Sequence, residues 1–454
     1  MPKTHSRQLI ALLAVIALMA AACGGSETTG TAAPSDEVSD VTQATSSEDE
    51  PTEDATDAVT EEASASEDAP EITDSGSLKL AYLLPETGQL AFLGPPIIGG
   101  FQLAIQQINE AGGTNGAEVF ADGGDEGDGD GTIANQTADR LLADGTHAIV
   151  GAASSGISLT VIDKVTGAGV AMCSPSNTSP TFTNYDDSDL YFRAAPTDAL
   201  QGPVLAEQIV AAGGTNVAIL ARADDYGQGL LDATVAALGD AGATVAVETT
   251  YDPMAQSFDA EVQQVVDSGA NTVALIAFDE GARILQTMIE RGIGPADLIV
   301  FGADGLNSGD LPSLVDPEDP LVLTGMGVTA PATSSSADFQ STLQEFAPEL
   351  EDFGFAAEAY DCAIAFALAA HQGGANTSEA IAENMVSVTT GGTKCTSYAE
   401  CIELIDAGED IDYDGASGPM DFTDAGEPSV GTYDVKEFDD AGELTTLETI
   451  TSTS

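Results

Sequence analysis

The feature that most constrains the fold is the stretch 147–183, where short apolar runs alternate with turns of small and hydroxyl-bearing residues. A run at 147–151 leads through an Ala- and Ser-rich turn into a helical pattern. A second run at 169–173 ends in a Ser-, Thr- and Pro-rich turn at 174–180. This order predicts a strand, a helix and a second strand parallel to the first. The two turns then meet at the carboxyl ends of neighbouring strands, the edge at which α/β sheets bind ligands.

These two turns carry groups suited to a small anion. Ser155 stands where the helix begins, and the first N–H groups of a helix lack intrahelical partners and favour a carboxylate. Thr178 adds a hydroxyl in the second turn. Local sequence leaves two interpretations open: a ligand cradle, or turn and cap residues with no ligand.

The same alternation of apolar runs and helical patterns fills most of the chain. It begins at Leu78, and a second series follows the first, with strands expected at 217–221, 244–247, 272–278, 298–301 and 321–326. Strands separated by helical segments imply parallel sheets covered on both faces. We therefore expect an α/β protein with two doubly wound parallel-sheet lobes.

Charge and hydropathy limit the partners of this chain. Its 454 residues include 11 Lys and Arg against 75 Asp and Glu, a formal net charge of -64. Nucleic acid is excluded as a partner because a polyanion would be repelled. Apart from the N-terminus, no apolar run reaches membrane-spanning length.

The N-terminus has the features of an export signal. Residues 1–22 combine early basic residues with a short apolar region, and small residues precede Cys23. The segment resembles a bacterial lipoprotein signal, which implies a lipid on Cys23 that holds the protein on the outer face of the membrane. The alternative is ordinary secretory cleavage that leaves a free cysteine. Residues 23–77, rich in Ser, Thr, Ala and acids, predict a disordered tether.

A series of motifs runs in order through the rest of the chain. They are the turn 85–88, the helix end 108–113, the turns 150–155 and 174–180, the stretch 192–202, the turn 225–229, and the segments 359–361, 413–415 and 417–422. Over 78–438 their order and spacing resemble the type I periplasmic binding-protein fold. More narrowly, the chain resembles the branched-chain amino acid (Leu/Ile/Val) receptor family of ABC importers.

The resemblance implies two lobes joined by three crossings, with a ligand cleft between them. The first lobe would hold 78–197 and 331–413, the second 198–330 and 414–445, followed by a tail at 446–454. The crossings are then expected near 196–201, 329–331 and 413–415.

The resemblance also implies which residues contact a ligand. The hydroxyls that bind a ligand carboxylate correspond to Ser155, Ser176 and Thr178. The aromatic walls correspond to Phe92, Tyr226 and Phe278. The acid that meets an α-ammonium group corresponds to Asp304. An ammonium ion and a carboxylate in a poorly solvated cleft form a charge-assisted hydrogen bond. For Tyr226 the alternative is ordinary packing, and for Asp304 a turn-forming Asp-Gly pair.

The acidic loop 122–131 places Asp at alternate positions followed by Gly, which is similar to part of a calcium loop. The bidentate Glu that such a loop needs at its twelfth position is missing, since Ile133 stands there. A calcium loop and a solvated acidic loop are both possible interpretations. We favour the solvated loop and expect no metal.

The cysteines outside the signal form two groups. The short loop between Cys395 and Cys401 predicts a disulfide in an exported protein. Cys173 ends a strand and Cys362 begins a long helix that the resemblance assigns to the same lobe. A second disulfide or two buried thiols are both open for this pair.

Enzyme chemistry finds no support, because no Ser nucleophile elbow, metal-binding His pair or phosphate-binding Lys loop is present. We expect a monomeric, lipid-anchored, extracytoplasmic substrate-binding protein without a cofactor. It would capture a branched-chain or other neutral amino acid for ABC permease subunits. The alternatives are a ligand-binding sensor of the same fold coupled to a membrane signalling protein, and a receptor for an amide- or urea-type solute.

Overall fold

A computed structural model describes residues 76–332 and 337–453. The expected signal 1–22, the lipidation site Cys23 and nearly all of the expected tether 23–77 lie outside these residues. Among the helices of the two described ranges, none has both the length and the apolar character needed to cross a membrane.

The described strands and helices alternate through most of the chain. The strands are β1 Lys79–Leu84, β2 Phe120–Asp125, β3 Ala148–Gly151, β4 Ala171–Ser174, β5 Tyr191–Arg193, β6 Asn216–Arg222, β7 Thr244–Tyr251, β8 Thr272–Ile276, β9 Ile299–Gly302, β10 Gly327–Pro331, β11 Thr393–Cys395, β12 Ile411–Gly415, β13 Gly418–Pro419, β14 Val430–Phe438 and β15 Leu444–Thr453. The helices are α1 Gly94–Glu110, α2 Thr132–Ala143, α3 Ser155–Thr166, α4 Asp198–Ala211, α5 Asp225–Ala241, α6 Asp259–Ser268, α7 Gly281–Glu290, α8 Leu311–Val315, α9 Ala337–Phe346, α10 Ala356–Gln372, α11 Ser378–Asn384 and α12 Tyr398–Asp406.

The first lobe is built on a parallel five-stranded sheet in the order β2-β1-β3-β4-β5. Every residue of β3 and β4 is buried. Such fully buried apolar strands are expected when helices cover both faces of a parallel sheet. The predicted strand–helix–strand unit of 147–183 is confirmed, and it places the two hydroxyl-rich turns on adjacent strands.

The second lobe is built on a seven-stranded sheet in the order β15-β14-β10-β9-β8-β6-β7. Strands β6 to β10 are parallel, whereas β14 and β15 add to one edge in the antiparallel sense. The sheet is therefore mixed, and not purely parallel as the sequence predicted.

Two segments of the second lobe differ from their sequence-based predictions. The strand expected at 321–326 is a series of turns, in which Asp319 accepts from the Leu321 N–H and Gly325 adopts a positive φ; β10 begins only at Gly327. The expected tail 446–454 is, through Thr453, part of β15, which pairs along β14. Its Thr-rich sequence suits an edge strand.

The third crossing lies later in the chain than expected at 413–415. After β12, the chain stays against the first lobe, where Phe422 stacks on Phe192 at 5.8 Å between ring centroids and Arg193 pairs with Glu427. It joins the second sheet only at Val430. The structure thus shifts this crossing to 428–430.

Helix α10 completes the first lobe from a distant part of the chain. It is buried from Ala356 to Ala370 and packs on α1. The two helices approach so closely that a Cβ at Gly100 would lie 2.0 Å from the Ala356 carbonyl oxygen. Cys362 of α10 forms a disulfide with Cys173 of β4. A second disulfide joins β11 to α12 through Cys395 and Cys401.

The two disulfides should differ in their effect on stability because they close loops of different length. Cys173 and Cys362 are 189 residues apart, and Cys395 and Cys401 are 6 apart. Chain-entropy arguments give about 5 kcal/mol for the first and about 2 kcal/mol for the second. Urea unfolding of the Cys173→Ala/Cys362→Ala protein should show the larger loss in free energy of unfolding. Equal losses for the two double variants would contradict this, and full reduction of the wild type serves as the control.

Candidate functional site

The two lobes face each other across a small cavity. Its lining residues are Leu90, Leu93, Ala153, Ser155, Ser176, Tyr226, Phe278, Asp304, Gly305 and Phe355. The cavity measures about 20 Å³, which holds about one water molecule. An amino acid is far larger, so a ligand of that size can enter only when the lobes move apart.

Five of the seven predicted ligand residues line this cavity, and two do not. Thr178 is buried behind it. Phe92 is half-buried and packs against the hydrophobic core, so its expected role as a wall is not what the structure shows. Leu90 and Leu93 take that position. Leu90 is the N-cap of a short 3₁₀ turn and Leu93 is its last residue, and residues three apart in such a turn share a face.

On the first lobe, the two hydroxyl-rich turns are tied to each other. The Ser176 hydroxyl and the Asn177 amide both donate to the Ala153 carbonyl oxygen, at 3.0 and 2.7 Å. Gly151 permits the first turn, because its φ is +130° and a Cβ there would lie 2.0 Å from the Leu83 carbonyl oxygen. The Ser154 side chain makes no capping hydrogen bond at the N-terminus of α3, so the first N–H groups of the helix remain available to an anion at Ser155.

A buried acid that sequence analysis missed holds the first of these turns. Glu126 is fully buried and accepts hydrogen bonds from the Ala153 and Ser154 N–H groups at 2.5 and 3.1 Å. Burial raises the pKa of Glu126 to about 8. The preceding Asp125 accepts from the Glu86 N–H, in the loop after β1.

The acidic loop 122–131 therefore contributes positioning groups to the cleft. Within 76–332 and 337–453, no group of three or more His, Cys, Asp or Glu residues could hold a metal ion. The fully buried Glu126 also shows that the loop is not wholly solvated.

On the second lobe, a stack of planar groups forms the opposite wall. The rings of Tyr226 and Phe278 lie 5.2 Å apart and nearly parallel, and the Arg222 guanidinium lies 3.6 Å from the Phe278 centroid on a cation–π contact. The guanidinium of Arg222 donates to Glu280 at 3.0 Å and to Asp224 at 2.5 Å, and these two ion pairs fix its position. The strand ends of β6 and β8 thus present a rigid aromatic surface.

Asp304 follows β9 and reaches the same cavity. Its Oδ1 accepts from Gln201 Nε2 and from the Tyr226 hydroxyl, both at 2.9 Å. Burial raises the pKa of Asp304 to about 6, although both hydrogen bonds act in the opposite direction. A positive group beside Asp304 would restore its negative charge.

Asp198 is a second buried carboxyl group near Asp304, and it was not predicted as a site residue. Neither of its oxygens has a hydrogen bond of good geometry among the described residues, although the nearby Thr178 hydroxyl acts to lower its pKa. Its pKa is raised well above the usual range, first by burial and then by the charge of Asp304. Gln201 Oε1 is likewise buried without a partner in the described chain. The sequence signal was the motif 192–202, which had been interpreted as a crossing only.

In this arrangement, N–H and hydroxyl groups that can donate to an anion lie on one lobe, and acids and aromatic rings lie across the cavity on the other. Carboxylates bind at helix N-termini, and ammonium ions bind at buried carboxylates. The site therefore suits a small zwitterion with an apolar side chain. The class of protein that fold and site define is a two-lobed α/β solute-binding protein.

Comparison with known proteins agrees with this class. Residues 77–442 match the family model described as periplasmic binding protein. The Leu/Ile/Val-binding protein homolog 3 of Brucella melitensis is 28% identical over 236 residues, 51% of this chain and 62% of that protein, so less than two thirds of its length is spanned. Homolog 2 of Brucella abortus is 30% identical over 283 residues, 61% of this chain and 72% of that protein.

Among solved structures, the fold resembles that of the branched-chain amino acid transporter substrate-binding protein LivJ of Streptococcus pneumoniae in complex with isoleucine. The TM-score is 0.67 at 21% identity, with 83% of this chain and 100% of that chain covered. The chain belongs to the periplasmic binding protein family, in its type I, branched-chain amino acid group. Members of this family bind solutes and are not enzymes.

The buried acids predict an unusual pH dependence of stability. The pKa is raised to about 8 for Glu126 and to about 6 for Asp304 and Asp361, whereas unfolded carboxyl groups titrate near about 4. Between these values the folded state binds more protons than the unfolded state. The contribution of these acids to the free energy of unfolding should therefore be fully present below about pH 4 and be lost as pH rises to about 8.

Urea midpoints measured across this pH range test the expectation. Glu126→Gln should flatten the decline because one titrating group is removed, and the exposed Glu379→Gln should leave the slope as in the wild type. A midpoint that rises steadily from pH 5 to pH 8 would contradict the role given to these acids.

Proposed function

We propose that the protein is the extracytoplasmic substrate-binding lipoprotein of an ABC importer, and that it captures a branched-chain or other neutral amino acid between its lobes. The observation that carries the proposal is the opposition, across one cavity, of the uncapped N-terminus of α3 and the buried Asp304. One end of a zwitterion is matched on each lobe. The name of the relatives, Leu/Ile/Val-binding proteins, supports the same ligand class.

The ammonium group of the ligand is assigned to Asp304, with the buried carboxyl group of Asp198 nearby. Both acids have raised pKa values because burial disfavours their charge. An ammonium ion supplies the missing positive charge and favours ionised Asp304. The Arg193 guanidinium acts on Asp198, but it is already paired with Glu427. It therefore does not supply the positive charge that Asp304 lacks.

The apolar part of the ligand is assigned to the wall of Tyr226 and Phe278 and to Leu90 and Leu93 on the opposite lobe. The absence of a lysine or arginine from this lining disfavours a second carboxylate. A branched aliphatic side chain therefore suits the cavity better than an acidic one.

Capture then requires a change between open and closed lobes. In the structure the cleft is closed, and Gln89 of the first lobe donates to the Pro253 carbonyl oxygen of the second at 2.9 Å. Ligand binding would favour closure by bridging the lobes, and the closed shape would be presented to the permease. We assign the first lobe to 78–197 and 331–427 and the second to 198–330 and 428–453.

The location follows from the family and from the N-terminal signal. Periplasmic binding proteins act outside the cytoplasm, and lipid on Cys23 would retain this one at the outer face of the membrane. The partners in this proposal are ABC permease subunits, with the protein acting as a monomer.

The assignment of Asp304 predicts a selective loss of amino acid binding. Asp304→Asn keeps an oxygen that can accept from Gln201 and Tyr226, so the fold should survive. The affinity for leucine should fall roughly tenfold to hundredfold because a charge-assisted hydrogen bond is lost. Isothermal titration calorimetry should show no such loss for 4-methylpentanoate, which lacks the amino group.

The matched control is Asp297→Asn. Asp297 is exposed and precedes β9, whereas Asp304 follows it, so this variant should bind leucine as the wild type does. Unchanged leucine affinity in Asp304→Asn would remove Asp304 from the site. If wild-type protein binds only acetamide, urea or benzoate, the amino acid proposal is wrong although the solute-binding class stands.

A further inference from the structure

A second cavity lies where the chain passes between the lobes. It measures about 310 Å³ and shares no lining residue with the cleft cavity. All three crossings contribute to it, through Pro196, Pro331 and Pro428. Pockets of this size hold small organic molecules. Nothing in the proposed capture of an amino acid uses this cavity.

One buried acid of this cavity has a carboxylate oxygen without a partner. Glu358, in the first turn of α10, is 6% exposed and lines the cavity. Its Oε2 has no hydrogen-bond partner among residues 76–332 and 337–453. Burial raises the pKa of Glu358 to about 8, and the nearby Asp361 adds to the effect. A buried unpaired polar oxygen costs free energy that a ligand donor can offset.

The neighbouring acid shows that the fold can satisfy a carboxylate here. Asp361, one helical turn later, accepts from the Tyr413 hydroxyl at 2.7 Å and from the Ala416 and Ser417 N–H groups at 2.8 and 2.7 Å. These three donors are used by Asp361, whereas Glu358 is stabilised by its own backbone N–H and keeps Oε2 without a partner among the described residues. The two acids on one face of α10 therefore differ. Asp361 is a structural group, and Glu358 lines the cavity, where it can contact a ligand.

The lining defines the chemistry of a matching ligand. It contains two acids, Glu358 and the half-exposed Asp421, and no basic residue. The rest is three prolines, small residues, Met420, Val430 and hydroxyl-bearing side chains. A cation with N–H donors suits the acids, and an aliphatic body suits the prolines. The lining has no aromatic ring, which disfavours a quaternary ammonium ion, the usual ligand of aromatic cages.

We propose that this hinge cavity is a second binding site, which takes a small aliphatic primary amine with its ammonium group on Glu358. The proposal is independent of the ligand of the cleft. Because the three crossings line the site, an amine bound there contacts the segments that must bend when the lobes open.

Isothermal titration calorimetry of the full-length protein with isobutylamine tests the proposal, with isobutanol as the uncharged probe of the same shape. Wild-type protein should bind isobutylamine and not isobutanol. Glu358→Gln should weaken amine binding by roughly tenfold or more, because the charge-assisted hydrogen bond is lost. Asp421→Asn should weaken it by about threefold, a smaller effect at a half-exposed charge.

Two further variants locate the bound amine. The exposed Glu379→Gln removes the same charge elsewhere on the first lobe and should bind isobutylamine as the wild type does. Amine binding that is lost in Asp304→Asn but kept in Glu358→Gln would place the amine in the cleft and overturn the proposal.

Three other outcomes would also overturn it: no binding to the wild type, equal binding of isobutanol, or unchanged binding to a folded Glu358→Gln variant. If Glu358→Gln does not fold, as judged by its thermal unfolding, Asp421→Asn decides. Its side chain is half exposed and Asn tolerates the positive φ of this position, so folding is retained.

Discussion

A shortage of positive charge governs how this chain can bury its acids. With 11 Lys and Arg for 75 Asp and Glu, few carboxyl groups obtain a cationic partner. The buried Arg193 and Arg222 are each paired with a buried glutamate. Other buried acids depend on backbone N–H groups, as Glu126 does at the turn after β3. Because each such acid needs a turn to satisfy it, the acids fix the loops that shape the cleft and the crossings.

The acids that the fold leaves unsatisfied mark the places where a ligand can contribute most. Asp198 lies beside Asp304 at the cleft, and Glu358 lies at the hinge cavity. Among the described residues, the cations near these two places are already paired, Arg193 with Glu427 and Lys394 with Asp412 and Asp414. A bound ammonium group supplies the charge that the sequence does not, so the same deficit accounts for the two sites we propose. The protein's strongly negative field also raises the local concentration of small cations near both.

Sequence patterns predicted the residues that lie directly after a strand, and missed those that depend on tertiary contacts. Ser155, Tyr226 and Asp304 each follow a predicted strand, and the parallel topology brings such residues to one edge. Glu126 acts on a turn 27 residues away, and acids are so common in this chain that no single one stands out. Phe92 lies in a 3₁₀ turn, and the sequence did not indicate that Leu90 and Leu93 of this loop would line the cavity.

The discontinuous first lobe has a consequence for export. Its central sheet is complete by Arg193, but α10 begins only at Ala356, after most of the second lobe. A chain that emerges from its N-terminus thus exposes the apolar face of that sheet until the later helix arrives. During this interval Cys173 is without its native partner, and once Cys362 has emerged the two remaining cysteines follow within 39 residues. Correct oxidation therefore depends on α10 docking before the last pair competes for Cys173, which makes helix packing the step that selects the disulfide pattern.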